Sequence, residues 1–260
     1  MKRSKTSHKG QNGRVLIIGG SERYHGAPIL SALAAEQTGI DLTYLMVPAN
    51  QQNLTRNYSL NLIVDTFKGK YLRPLDVQHI LDWSRKVDVV VIGPGLGDNP
   101  KTLRALKKIL QKAPSKLVID AAALAVVADC APFTHDTVLT PHSGEWKKMM
   151  KAKNGSKTQI EAELKQKSND WKATIVLKGP EDLIVSPGEK THRNKSGHPI
   201  MTKGGTGDIL AGLIGGLMAQ GLSGFEAAKQ ATKVWGEVGE KVARQKGLMV
   251  TVAELLRQLK

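Results

Sequence analysis

Short runs of aliphatic and β-branched residues punctuate this chain, and most stop at glycine or at a polar residue capable of chemistry. Residues 15–18 run into Gly19-Gly20-Ser21, and 42–47 form the next run. Residues 87–92 run into Gly93-Pro94-Gly95-Leu96-Gly97, and 117–119 stop at Asp120. Residues 138–139 lead to Thr140-Pro141-His142, and 175–177 lead to Lys178-Gly179. Brief apolar runs without alternation fit strands of a parallel sheet buried on both faces. Helical patterns lie between them, over 27–37 before Gly39 and over 101–112. The alternation predicts an α/β fold with a mostly parallel sheet. Ligands of such sheets gather at the carboxyl ends of the strands, where the glycines, Asp120, His142 and Lys178 fall. Further on, 182–185 and 190–193 predict a hairpin across Pro187-Gly188, and helices over 206–220, 224–245 and 251–259 close the chain. There is no internal repeat, low-complexity tract or long linker. The 260 residues are expected to form one domain, 1–260, led by a flexible basic tail, 1–7.

Composition narrows the partners. Aromatics are only 4%, so the core must be aliphatic. The formal charge is +15, but the lysines (Lys107, Lys108, Lys147, Lys148, Lys151, Lys153, Lys165, Lys167) are spread over predicted helix faces. No nucleic-acid-binding motif accompanies them. The charge reads as a solvated surface that favours anionic nucleotides, and no nucleic-acid partner is expected. Cys130 is the only cysteine, which excludes a disulfide framework and fits a reducing, cytoplasmic setting. Residues 1–14 lack the apolar stretch of a signal peptide, and 209–219 is too short and glycine-rich to span a membrane. No membrane association is expected.

The chemistry concentrates in Lys203-Gly204-Gly205-Thr206-Gly207-Asp208 and the apolar run behind it. Glycines let the backbone turn sharply and aim N–H groups at an anion, and the following helix adds its positive end. Asp208, at the mouth of that nest, can take a proton from a hydroxyl beside a bound phosphate. Taken alone, the same residues also describe a loop and a helix cap. The glycines of 93–97 would let a ligand approach the backbone, or simply form a tight turn. Their spacing is not that of a dinucleotide fingerprint. His142 can donate to a ligand oxygen, with Ser143 and Glu145 capping the next helix, or Pro141 merely ends a strand. Lys178 can meet a phosphate as a point charge, or lie on the surface. There is no P-loop, no G-x-S-x-G elbow and no metal-ligand spacing around His142.

The order of these pieces is more specific than any one of them. His8-Lys9-Gly10 with Gly13-Arg14, Gly19-Gly20-Ser21, Gly26-Ala27-Pro28, the 93–97 loop, Asp120-Ala121, Thr140-Pro141-His142 with Gly144-Glu145, Lys178-Gly179 and 204–208 follow one another along the chain. So arranged, the chain resembles the NAD(P)H-hydrate dehydratase family, the dehydratase half of the nicotinamide nucleotide repair system. The resemblance runs from about His8 to the C-terminus. It implies a ribokinase-like three-layer α/β/α sandwich. The implied reaction dehydrates 6-hydrated NADH or NADPH, by phosphorylation of the 6-hydroxyl from ADP or ATP and loss of phosphate. It assigns Asp208 as the base and the amides of Gly205, Thr206 and Gly207 to the transferred phosphoryl group. It assigns Ala27, Gly95, Gly97, His142 and Asp208 to the hydrate, and Lys178, Gly179, Pro180, Glu181, Asp182 and Gly207 to the nucleotide. Mg²⁺ is implied with the nucleotide, without identified ligands. A dimer or tetramer and a separate epimerase partner are implied as well.

The chain departs from the family pattern in places. Ala122 stands where the family often has a second Asp, and Ser143 stands for a Pro. His198-Pro199-Ile200-Met201 replaces Asn-Pro-Gly-Met, and Trp235-Gly236-Glu237-Val238-Gly239 replaces His-Gly-x-Ala-Gly. A small-molecule kinase of the same fold, acting on a vitamin precursor, is the alternative reading. A non-catalytic nucleotide- or nucleic-acid-binding protein is a third.

Overall fold

The computed structural model describes residues 3, 6–151, 155–188 and 190–259. Lys153 and residues 1, 2, 4 and 5 of the expected tail lie outside them. Strands β1 (Arg14–Ile18), β2 (Leu42–Pro48), β3 (Leu62–Phe67), β4 (Val89–Ile92), β5 (Lys116–Ile119), β6 (Thr137–Leu139), β7 (Thr174–Leu177), β8 (Asp182–Ser186) and β9 (Lys190–Asn194) form one sheet. Its order is β3-β2-β1-β4-β5-β6-β7-β8-β9. The pairings from β3 to β7 are all parallel, and β8 and β9 add antiparallel.

Successive residues of a strand point to opposite faces, so a strand buried on both sides must be apolar throughout. In β1, Val15 and Ile17 enter one core while Leu16 and Ile18 enter the other. In β4, Val89 and Val91 face the first core, and Val90 and Ile92 the second. Helices α1 (Gly26–Gln37), α7 (Thr206–Ala219), α8 (Gly224–Lys246) and α9 (Val252–Leu256) cover the first face. The second is covered by α3 (Val77–Ser84), α4 (Pro100–Lys112), the 3-10 stretch Ala121–Asp129, α5 (Ser143–Met150) and α6 (Lys157–Trp171). A short α2 (Gln52–Arg56) leads into β3. The result is a three-layer α/β/α sandwich.

β3 and α3 are absent from the expected elements. Asp65 interrupts the apolar run of β3, which is an edge strand with one buried residue at each end. The Asp65 carboxylate accepts from the Trp83 indole and meets His79 Nε2 at 2.9 Å, so β3 and α3 are joined by polar contacts. The strand expected over 87–92 starts instead at Val89, because Asp88 turns to Arg14.

All strands from β1 to β7 run the same way, so their carboxyl ends share one edge. The strand order reverses between β1 and β4, where α1 and α4 leave toward opposite faces. That divergence opens a crevice.

Candidate active site

Four chain segments meet at this edge. Asp120, immediately after β5, is 2% exposed. Its Oδ1 accepts from Thr140 Oγ1 at 2.7 Å and from Lys178 Nζ at 3.0 Å. Lys178 follows β7 and is held alongside β6, its N–H donating to Pro141 O at 2.9 Å. The Lys178 ammonium also lies 4.0 Å from Glu145 Oε2. It faces the first turn of α7, where a Cβ added to Gly207 would lie 3.2 Å from Nζ. The next residue is Asp208.

Charge is unbalanced here. Burial pushes the Asp208 carboxyl up to about 7, with Asp120 and Glu145 adding to the rise and Lys178 opposing it. Burial pulls the Lys178 ammonium down, but Asp120, Glu145 and Asp208 outweigh it and hold the group above its ordinary value. Three carboxylates thus share one cation, and Asp208 carries the deficit.

The nest is built by packing as much as by sequence. Gly205, the N-cap of α7, has φ +99°, and a Cβ there would lie 2.5 Å from Leu30 Cδ1 of α1. Only glycine meets both demands. Thr206 faces the protein: its hydroxyl donates to Met201 O at 2.6 Å and Lys203 O at 2.8 Å, and its N–H to Lys203 O at 3.3 Å. Gly207 and Asp208 lie in the first turn of α7, where N–H groups have no helical partner. Trp235 Nε1 donates to Thr206 O at 3.1 Å, tying α8 to the nest. From sequence Trp235 is visible only as a departure from the family pattern and Thr140 only as part of a motif, because their partners come from other segments.

His142, and not Ser143, caps α5. Its Nδ1 accepts from the N–H of Gly144 at 3.0 Å and of Glu145 at 3.2 Å, and Glu145 Oε2 accepts from the His142 N–H at 2.8 Å. With Nδ1 used as an acceptor, Nε2 is the ring donor. The ring reaches solvent, 58% exposed, beside Glu145. Ser143 is displaced as cap because the imidazole, unlike a hydroxyl at the next position, reaches the second and third N–H groups of the helix.

The second loop set packs together. Gly93 has φ +127°, and a Cβ there would lie 1.8 Å from Asp120 O, so this loop passes against the floor of the site. Gly20 donates its N–H to Pro94 O at 2.9 Å, and Ser21 Oγ donates to Gly95 O at 2.8 Å. A Cβ at Gly95 would meet Ala27 Cβ at 3.2 Å, and one at Gly97 would meet Ser21 Oγ at 3.9 Å. Ala27, Gly95 and Gly97 therefore form one wall. Ala27 stands one turn before Leu30, which touches Gly205.

Of the 178–182 segment, Lys178 enters the cluster and Asp182 shapes the turn. Asp182 accepts from the Gly179 N–H and the Asn194 amide, each at 3.1 Å. Glu181 pairs with Arg193 at 3.2 Å, and Pro180 is exposed. Among the described residues, no group of three His, Cys, Asp or Glu side chains is disposed to hold a metal ion. Ala122 is half-buried and packs against the aliphatic core.

The fold and this edge define a ribokinase-like α/β protein with a glycine-rich turn opening α7 beside a half-buried carboxyl, Asp208. A solved ribokinase-like superfamily protein of Enterococcus faecalis superimposes with a TM-score of 0.85 at 27% identity, covering 99% of this chain and 89% of that one. The fold is shared with an ADP/ATP-dependent NAD(P)H-hydrate dehydratase of Bacillus subtilis, co-crystallized with ATP and Mg²⁺. That match has a TM-score of 0.81 at 23% identity, over 99% and 92% of the two chains. The family model for NAD(P)H-hydrate dehydratase matches residues 15–260, and the chain belongs to that family. It is 37% identical over 263 residues to the ADP-dependent (S)-NAD(P)H-hydrate dehydratase of Nitrosopumilus maritimus, covering 99% of this chain and 90% of that one. It is 36% identical over 259 residues to the bifunctional NAD(P)H-hydrate repair enzyme of Methanothermobacter thermautotrophicus, covering 96% of this chain and 49% of that one. The chain thus spans about half the length of its bifunctional relatives.

Proposed function

We propose that the protein is an ADP- or ATP-dependent NAD(P)H-hydrate dehydratase, returning 6-hydrated NADH or NADPH to the reduced cofactor. The observation that carries this reading is Asp208, a half-buried carboxyl that desolvation pushes up to about 7, set in the first turn behind a glycine nest and beside Lys178. A general base works best with a pKa near the operating pH. Asp208 accepts the proton of the 6-hydroxyl as its oxygen attacks the terminal phosphorus, and the bond from that phosphorus to the departing nucleotide oxygen breaks. The ring nitrogen's electron pair then expels phosphate from C6. Loss of a proton from C5 restores the C5–C6 double bond.

Each group has a task in this scheme. The first-turn amides at Gly207 and Asp208, on a turn shaped by Gly205 and Thr206, stabilise charge on the transferring phosphoryl group. Lys178 offsets the phosphate charge, and residues 179–182 hold the rest of the nucleotide. Ala27, Gly95 and Gly97 wall the hydrated ring, and His142 Nε2 donates to it. Asp120 and Glu145 would face a Mg²⁺ carried on the phosphates, which neutralises charge there when bound. The test is incubation with NADH hydrate, Mg²⁺ and ADP or ATP, following the return of dihydronicotinamide absorbance. No recovery with either nucleotide sinks the reading. A stable phosphorylated product without recovery identifies a small-molecule kinase instead.

The chain works in this reading as one domain, 1–260, in the cytoplasm. No described helix is long and apolar enough to cross a membrane, and the one cysteine is unpaired and half-buried. A homo-oligomer, dimer or tetramer, is supported by Leu54, Tyr58, Leu60 and Ile63, exposed near edge strand β3. The bifunctional relatives, about twice its length, support a separate partner enzyme, which we assign as the epimerase.

A further inference from the structure

The loop between β1 and α1 has a feature the scheme above leaves without a task. It is pinned on three sides. Ser21 Oγ donates to Gly95 O at 2.8 Å, and the Gln51 side-chain amide, on a residue 5% exposed, donates to Ser21 O. On the outer side, the Glu22 N–H donates to Lys70 O at 2.9 Å. The Glu22 carboxylate takes the Lys70 ammonium and, at 2.8 Å, the Tyr71 hydroxyl. Ser21 and Tyr24 exchange two backbone hydrogen bonds, each at 3.0 Å. Surface loops are ordinarily the mobile parts of a fold, so this much fastening needs a reason.

What the fastened loop presents is Arg23 and Tyr24. Tyr24 is 48% exposed in a chain with only 4% aromatics, and most of the other aromatic residues are buried or packed on neighbours. The Arg23 Cζ lies 5.9 Å from the Tyr24 ring centroid. Among the described residues, the Arg23 guanidinium pairs with no carboxylate. Tyr24 Cβ lies 3.2 Å from the position a Cβ would take at Gly95, so the pair stands at the end of the Ala27–Gly95 wall. Tyr24 precedes α1, and along the start of that helix Ala27 of the wall comes before Leu30, which touches the nest, so the wall lies between the pair and the nest. That places the pair beyond the reacting ring but within the reach of a dinucleotide.

We infer that Arg23 and Tyr24 form the subsite for the non-reacting half of the dinucleotide, with the adenine base on the Tyr24 ring and the pyrophosphate on the Arg23 guanidinium. The inference rests on the dehydratase reading. The hydrated nicotinamide ring contains tetrahedral carbons and stacks poorly, whereas adenine is flat and aromatic. An exposed phenol ring suits a base, and a guanidinium fork without a carboxylate suits phosphate oxygens. A rigid platform adds affinity because little ordering is left to be done on binding.

The test compares NADH hydrate with the hydrate of reduced nicotinamide mononucleotide, which has the same reacting ring and no adenylate. Tyr24→Ala is expected to lower the ratio of kcat/KM for the two substrates about ten-fold, through KM for the dinucleotide. Tyr24→Phe, which keeps the ring, restores the ratio. Arg23→Ala lowers the ratio and weakens its dependence on salt. An unmoved ratio, or an equal fall for both substrates, overturns the subsite. Turnover of neither substrate by the unaltered protein overturns the dehydratase reading and this inference together.

Discussion

The two edges of the sheet use the same residue types in opposite ways. At the amino edge, Asp88 takes the Arg14 guanidinium on both oxygens, at 2.9 and 3.2 Å, and the Arg14 N–H at 2.9 Å. Asp41 there accepts from the N–H groups of Gly10 at 2.8 Å and Asn12 at 3.0 Å. Each carboxylate has its own donors. At the carboxyl edge, Asp120, Glu145 and Asp208 share Lys178, and burial raises the cost of every charge. One edge is electrostatically settled and serves the fold. The other is short of cation, which lifts Asp208 to about 7 and lets its carboxylate accept a proton near neutral pH, as expected where pKa values are set for chemistry.

The contrast can be broken at several points. Asp208→Asn is expected to lower kcat about 10³-fold or more while leaving ADP affinity within a few-fold, measured by turnover and by titration calorimetry. Lys178→Met removes the cation of the carboxyl edge. It should cost about 10²-fold in kcat/KM, and the acidic limb of the residual activity should move to higher pH as Asp208 loses the charge opposing its rise.

In the proposed scheme, activity requires ionised Asp208. It should be present above about 7 and fall roughly ten-fold per pH unit below that value, as a pH–rate profile will show. Stability has the reverse sign. The folded pKa lies above the ordinary 3.8, so the folded state holds the proton more tightly, and Asp208 costs stability as pH rises from near 4 toward about 7. Asp208→Asn should therefore raise stability at about pH 8 by an amount on the order of 2–4 kcal/mol, seen as a higher melting midpoint, and leave it unchanged at about pH 4. The smallest effect belongs to the settled edge. Asp88→Asn should cost about 1 kcal/mol or less and leave kcat/KM unchanged, because the pair it breaks is half-exposed. A large loss of activity from Asp88→Asn would erase the distinction between the edges.

How much of this was legible depends on the kind of contact. The central strands were readable because burial on both faces forces an unbroken apolar run, as in Val89-Val90-Val91-Ile92. β3 was not, because its middle carries Asp65 and its bonding partners come from α3. The nest at 204–208 was readable from glycine and helix signals. Its inward-facing Thr206 was not, since the carbonyls of Met201 and Lys203 become acceptors only once the preceding turn is folded. The cap of α5 was assigned to the wrong neighbour because a histidine ring rarely does the work of a hydroxyl, and only the backbone angle at His142 decides it.

By itself the sequence determined a parallel α/β layering and the glycine-rich loops at one edge, because these follow from local periodicity and residue chemistry, and it singled out Asp208 as a candidate through the order of its motifs. The tertiary structure decided what Asp208 is. Its raised pKa arises from burial and from Asp120, Glu145 and Lys178, groups brought from separate strand ends. Coulomb energy depends on distance in space and on the surrounding dielectric, and neither is written in the order of residues along the chain.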